Sequence, residues 1–322
     1  MFTSAIVPLD GSPQSEASLE AAVALLAPGG AAVLLGVLPG SDLLVPALLD
    51  LVSETHVRLA LRESIQRQLE LAGDRLGDRP VRWSVEVREG DPATEILAAA
   101  REHRASFIAM ATHGRGAAGR SVFGSIADRV ARAATIPVLL VRPGAAPPPF
   151  TRIVVPLDGS SRAEAAVTVA VNLADAHHLP VLLVQAVDFH LLAAPVGELA
   201  LPEVTAGTIA AMREDAGFYL KEVCARFARK NRTLGWLVIE GSPFFAISDA
   251  LRPGDLLVMT SHGRGGVARW ALGSVAEKLV RNAPAPVLLV RSGALEPSAA
   301  ATGAPVADPA PAPAHPRPGP PA

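Results

Sequence analysis

The sequence predicts an α/β protein made of two tandem doubly wound domains, each with a five-stranded parallel sheet. Three observations carry this expectation: a whole-domain internal repeat, a steady alternation of strand-like and helix-like segments, and strands that are apolar on both faces. The repeat is direct. IVPLDGS at 6–12 returns as VVPLDGS at 154–160, and REGDP at 88–92 as IEGSP at 239–243. THGRGAAGRSVFGS at 112–125 returns as SHGRGGVARWALGS at 261–274, and IPVLLVRPGA at 136–145 as APVLLVRSGA at 285–294. The matches keep their order at an offset of 148–151 residues, so a complete domain is duplicated and both copies share one topology.

Each copy opens with a short β-branched run that ends in Pro-Leu-Asp-Gly-Ser, the pattern of a buried strand, a turn and a helix start. Further strands are expected at Ala31–Leu38, Val81–Arg88, Phe107–Thr112 and Val138–Arg142, with helices at Ser15–Ala27, Thr55–Leu76, Pro92–His103 and Gly124–Ala133. The second copy repeats this with strands near 152–157, 181–186, 233–239, 256–260 and 287–291. The domains are expected at 1–143 and 151–294, joined by the Pro-rich GAAPPPF at 144–150. Residues 295–322 are so rich in Ala and Pro that no core is expected there, only a disordered, extended tail.

Formal net charge is −2 with both signs interspersed, which excludes an electrostatic nucleic-acid surface. No window reaches the roughly 18 uninterrupted apolar residues of a membrane span, and the N-terminus lacks the basic and apolar regions of an export signal. A soluble, cytoplasmic protein is expected. The single cysteine, Cys224, lies in the amphipathic FYLKEVCARFARK and reads as a buried structural thiol.

In a doubly wound sheet, ligands sit outside the carboxyl ends of the strands where the winding reverses, which selects the loops after the first and fourth strands. The fourth-strand loop is Gly-rich and runs into a helix beginning Gly124-Ser125, repeated as Gly273-Ser274. A phosphate suits this arrangement, because helix N-terminal N–H groups point at an anion and glycine admits its oxygens. Ser125-x-x-Asp128 and Ser274-x-x-Glu277 also read as capping boxes, which any helix start could carry. Asp10 and Asp158 either face a ligand or merely organise their turns. His113 and His262 have no companion at metal-ligand spacing, and no metal site is expected. Arg115, Arg120, Arg264 and Arg269 are secondary candidates for phosphate oxygens. GRGAAG at 114–119 matches G-x-G-x-x-G, but it follows the fourth strand rather than the first, lacks the downstream acid and is GRGGVA in the second copy. A dehydrogenase is therefore not expected, nor is P-loop chemistry, since no G-x-x-x-x-G-K-[ST] occurs.

Taken together, V-P-x-D-G-S, E-G-x-P, the Gly-rich loop and the closing P-V-L-x-V strand resemble the universal stress protein family over both copies, about residues 2–143 and 150–292. The resemblance implies a Rossmann-like fold of the adenine nucleotide α-hydrolase-like kind and a ligand, ATP, with or without Mg2+. Pro8, Asp10 and Val37 then lie around adenine and ribose, while Gly114, Gly124 and Ser125 hold phosphates. In the second copy the matching positions are Pro156, Asp158, Ala186, Gly263, Gly273 and Ser274. The family loop G-x2-G-x9-G-[ST] has Ala111 and Thr260 where its first glycine belongs, so a Cβ stands at each position. Ala186 replaces a valine, which favours the first copy. The implied function is a nucleotide-dependent stress-response regulator without evident catalysis; the alternative is a nucleotide-free protein-interaction module of the same fold. The resemblance also places PVLLVR at 137–142 and 286–291 at sheet edges, and the two are expected to face each other within the chain, a homodimer being the other way to cover such edges.

Overall fold

A computed structural model describes residues 1–40, 54–112, 123–142, 144–145, 149–188, 202–261 and 272–291. The first half runs β1 (Phe2–Pro8), α1 (Pro13–Leu25), β2 (Leu26–Leu38), α2 (Glu54–Asp74), β3 (Arg82–Glu89), α3 (Pro92–Glu102), β4 (Phe107–Ala111), α4 (Ser125–Ala133) and β5 (Val138–Val141). The second runs β6 (Arg152–Pro156), α5 (Ser161–His177), β7 (Val181–Val187), α6 (Pro202–Phe227), β8 (Leu234–Glu240), α7 (Pro243–Ala250), β9 (Asp255–Thr260), α8 (Ser274–Asn282) and β10 (Val287–Val290). Tail residues 295–322 lie outside the described residues.

All strands join one ten-stranded sheet in the order β3-β2-β1-β4-β5-β10-β9-β6-β7-β8. Within each half every pair is parallel, and the winding reverses between β1 and β4, or β6 and β9. Alternate strand residues feed two layers. Val7, Leu34, Phe107 and Leu139 pack with Leu19 of α1 and Leu69 of α2, while Ile6, Leu35, Ile108 and Leu140 pack with Ile96 of α3 and Val130 of α4. The second half repeats this with α5 and α6 on one face and α7 and α8 on the other. Both layers continue without a break from one half into the other.

The two strands expected to face each other do so: β5 and β10 pair antiparallel, with Val287 opposite Leu140, Leu288 opposite Leu139 and Leu289 opposite Val138. Leu139 and Leu288 are equivalent positions of the repeat, so a pseudo-twofold axis passes between them. Every residue of both strands is buried. Each such side chain contributes about 1.5–3 kcal/mol on removal from water, and the ladder saturates edges that would otherwise invite association.

Helix α1 stops at Leu25, and β2 starts at Leu26 rather than at Ala31. Phe2 pairs with Leu26, the register then shifts, and pairing resumes at Ser4 with Ala31. The intervening Pro-Gly-Gly forms an irregularity in which Gly29 has φ +76° and donates its N–H to the Pro80 carbonyl at 2.6 Å. Gly36 lets α2 settle on the sheet, because a Cβ there would lie 2.3 Å from Ile65 Cγ2. Cys224 is half-buried rather than buried, between α6 and β8; its thiol donates to the Gly235 carbonyl at 3.9 Å, and burial pushes its pKa up.

Leu140→Lys places an ammonium in the layer between the halves. We expect a loss of at least about 3 kcal/mol of stability, read as a lowered unfolding midpoint, together with proteolytic sensitivity near residues 142–150. An unchanged midpoint would mean that this ladder does not hold the halves together.

Candidate functional site

At the winding reversal the sheet opens. The β1–β4 register extends only to Ile6 opposite Ile108, although the strands run on to Pro8 and Ala111. On either side the pairing persists, Pro8 with Leu35 and Ala111 with Val141. The second half repeats the geometry: β6–β9 pairing ends at Val154 with Leu257, while the strands continue to Pro156 and Thr260. Strand alternation puts Pro8 and Val37 on the α3–α4 face and Ala111 on the opposite one. Val37 and Ala186 are half-buried.

Beyond Pro8 the chain turns through Asp10-Gly11-Ser12. The Asp10 carboxylate accepts from Ser12 N–H at 3.0 Å and from the Ser12 hydroxyl at 2.6 Å, and the Ser12 oxygen in turn caps α1 by accepting from Ser15 N–H at 3.2 Å. Asp158, Ser160 and Ala163 repeat these bonds at 3.0, 2.6 and 3.2 Å. Gly11 and Gly159 take φ of +76° and +81°, which explains a glycine between the two polar residues. The turn-organising role of the aspartates is therefore realised, on a loop that also borders the crevice.

The loop after β4 is tied at its base. Thr112 donates its N–H to Val141 at 2.9 Å and receives Gly124 N–H on its carbonyl at 2.8 Å. Ser261, Val290 and Gly273 repeat this at 3.2 and 2.9 Å. Gly114 and Gly263, with the loop histidines and arginines, lie outside the described residues. The capping-box reading is not realised: the N-caps are Gly124 and Gly273, with no side-chain cap bond. Asp128 and Glu277 turn instead to the arginines one turn on, Arg132 Nε to Asp128 Oδ1 at 2.8 Å and Arg281 to Glu277 at 2.8 Å. Both Ser125 and Ser274 are exposed at the first helical position. Because the Gly124 N–H is committed to Thr112 and the first helical bond runs from the Asp128 N–H to the Gly124 carbonyl, the donors that α4 offers an anion are the Ser125, Ile126 and Ala127 amides and the Ser125 hydroxyl.

Helices α3 and α4 are locked together beside this opening. Asp91 caps α3 through Thr94 N–H at 3.0 Å, and Arg129 of α4 grips the same carboxylate with two bonds of 2.7 Å. Arg129, first among the causes, holds the Asp91 carboxyl well below its ordinary value of 3.8. Nothing in the sequence signalled this pair, because its members lie on separate helices. The halves also meet here: the Arg281 guanidinium carbon stands 5.8 Å from the centre of the Phe123 ring, next to the α4 N-cap. Among the described residues no three His, Cys, Asp or Glu side chains gather as metal ligands, and no helix is long and apolar enough to cross a membrane.

The model of the universal stress protein family matches residues 1–142 and again 149–291. A universal stress protein of Mycobacterium tuberculosis is 25% identical over 236 residues, 71% of this chain and 76% of its own length. One from Thermus aquaticus is 34% identical over 144 residues, 44% of this chain and 99% of its own length. The crystal structure of a universal stress protein from Archaeoglobus fulgidus superposes with a TM-score of 0.55 at 20% identity, covering 91% of this chain and all of that one.

The Asp91–Arg129 pair yields a pH prediction. Asp91 has a depressed folded-state pKa, so its contribution is present at neutral pH and is lost as pH falls below its ordinary value of 3.8. Asn caps helices as well as Asp does, so Asp91→Asn removes mainly the charge. Melting curves should show the variant below wild type at pH 7 and the two converging in acid; a constant gap would assign the effect to capping alone.

Proposed function

The chain belongs to the universal stress protein family, and from that premise we propose that it binds ATP in the crevice where β1 and β4 part and acts as a nucleotide-dependent regulator in the cytoplasmic stress response. The single observation that carries this reading is the pairing of an opened strand junction with an uncapped helix N-terminus at the same end of the sheet. Such an N-terminus presents oriented N–H donors and a partial positive charge to phosphates. Pro8, Asp10 and Val37 border the adenosine side in this reading, and Ser125 and Ile126 the phosphate side. Mg2+, when present, arrives with the phosphates, since it binds through substrate oxygens and water more readily than through a protein cage.

Binding and signalling, rather than turnover, fit the residues at hand. Efficient phosphoryl transfer requires a base together with metal and cationic stabilisers, and the carboxylate that borders the opening, Asp10, is engaged by the Ser12 amide and hydroxyl of its own turn. The second half is the weaker site in this reading. Thr260 is buried at the position of the first loop glycine, and Ala186 offers less apolar surface than Val37. Thr260 also favours, for that half, the nucleotide-free interaction role.

Calorimetric titration should give an ATP affinity in the micromolar range, about 8 kcal/mol. Gly124→Asp should weaken it at least about tenfold by setting a carboxylate against the phosphates. The same change should leave folding intact, since Asp is a favoured N-cap and the Gly124 φ of −59° suits it. No heat at millimolar ATP would support the interaction module, and undiminished binding by a folded Gly124→Asp protein would overturn the phosphate assignment.

A further inference from the structure

At the amino end of the first half, away from the crevice, a cavity of about 280 Å3 lies where α3 and α4 run out into the turns before β4 and β5. Small residues leave the space: Ala100, Ala133 and Ala134 line it, with the fully buried Ile108 of β4 and the half-buried Leu97 and Ile136. Two arginines complete the lining, Arg101 in the last turn of α3 and Arg104 in the turn that follows. Both are exposed, and among the described residues neither side chain has a hydrogen bond or an ion pair. The acids of α3 and α4 are engaged elsewhere, Glu95 and Glu102 by Arg88 and Asp128 by Arg132. Arg104 also holds φ +48°, a left-handed conformation that a helix stop ordinarily gives to glycine, as the turn before β9 does with Gly254 at φ +86°.

We propose that this cavity binds a small organic acid, a carboxylate carried on an apolar body, at a site separate from the nucleotide crevice. Unpartnered guanidinium groups beside an apolar cavity match both parts of such a molecule. The guanidinium fork takes a planar carboxylate in two parallel bonds, and the alanine, leucine and isoleucine surfaces take the apolar remainder. The volume lies just below the about 300 Å3 at which ligand sites ordinarily begin, which suits a small molecule rather than a peptide segment. The second half shows the same place closed. Counting on from the equivalent Ile96 and Ile247, Ala100 corresponds to Leu251, which is buried in the same apolar layer. Counting back from Ile108 and Leu257, whose N–H groups bond to the Pro137 and Pro286 carbonyls, Ser106 corresponds to Asp255, a buried carboxylate gripped by Arg152. There bulk takes the space, and a buried acid with its own arginine stands where the first half keeps unpartnered cations. The site therefore belongs to the first half.

The test is calorimetric titration of the full chain with 4-phenylbutyrate, using 4-phenylbutanol as the uncharged control and acetate as the control without an apolar body. We expect saturable binding of 4-phenylbutyrate with a dissociation constant below about 1 mM, binding of the alcohol at least about tenfold weaker, and no saturation by acetate in the same range. Excess ATP should not displace the acid. Ala100→Leu, which writes the second half's residue into the first, should abolish binding. Replacing both exposed cations, Arg101→Gln with Arg104→Gln, should weaken it at least about tenfold. No saturable binding by the wild type, equal affinity for the alcohol or for acetate, displacement by ATP, or undiminished binding by either folded variant would each overturn the proposal. If Ala100→Leu does not fold, the double arginine variant decides, since both of its positions are exposed.

Discussion

The antiparallel pairing of β5 with β10 is the constraint on which the rest of the molecule depends. Within a half all strands are parallel, so joining the halves antiparallel sends their carboxyl ends to opposite ends of the sheet. The two crevices therefore open in opposite directions and cannot share one ligand. The same ladder merges two small cores into two continuous layers, one on each face. It also lays α4 beside α8 across the pseudo-twofold axis, which is why Arg281 of one half stands against Phe123 of the other and why the Glu277 charge reaches Arg132.

Much of the fold was legible because duplication multiplies weak signals. A lone VLLV run is ambiguous between a strand and a buried helix segment; two at a fixed offset, each after a helix and each ending a copy, specify equivalent terminal strands. The start of β2 was less legible, since Pro-Gly-Gly signals a break and the strand passes through it as an irregularity. The capping box was misleading for a physical reason. Its acid stood four residues from an arginine on the same helix face, and that ion pair competes with a bond back to the cap. The bond from the Gly124 amide to the Thr112 carbonyl, which closes the base of the loop, spans the loop and is encoded by no local pattern.

The candidate site can be read from the sequence as a place in the fold and not as a set of contacts. Pro8, Asp10, Val37, Ala111, Gly124 and Ser125 do come to one end of the β1–β4 junction, as do their second-half counterparts. Asp10 and Asp158 are held in their turns by the serines two residues on, so any contact they make with a ligand is made by an already oriented carboxylate. Thr260 differs from Ala111 in burial as well as in bulk, and the proposed weakness of the second site rests on that difference.

A nucleotide site of this kind should fill inside the cell, where adenine nucleotides are abundant. The most direct measurement is to denature the freshly purified full chain and identify the small molecules released. An adenine nucleotide in fixed ratio to protein, lost from the Gly124→Asp variant, is the result this account predicts. Release of no nucleotide, with no uptake of added ATP in equilibrium dialysis, would contradict it.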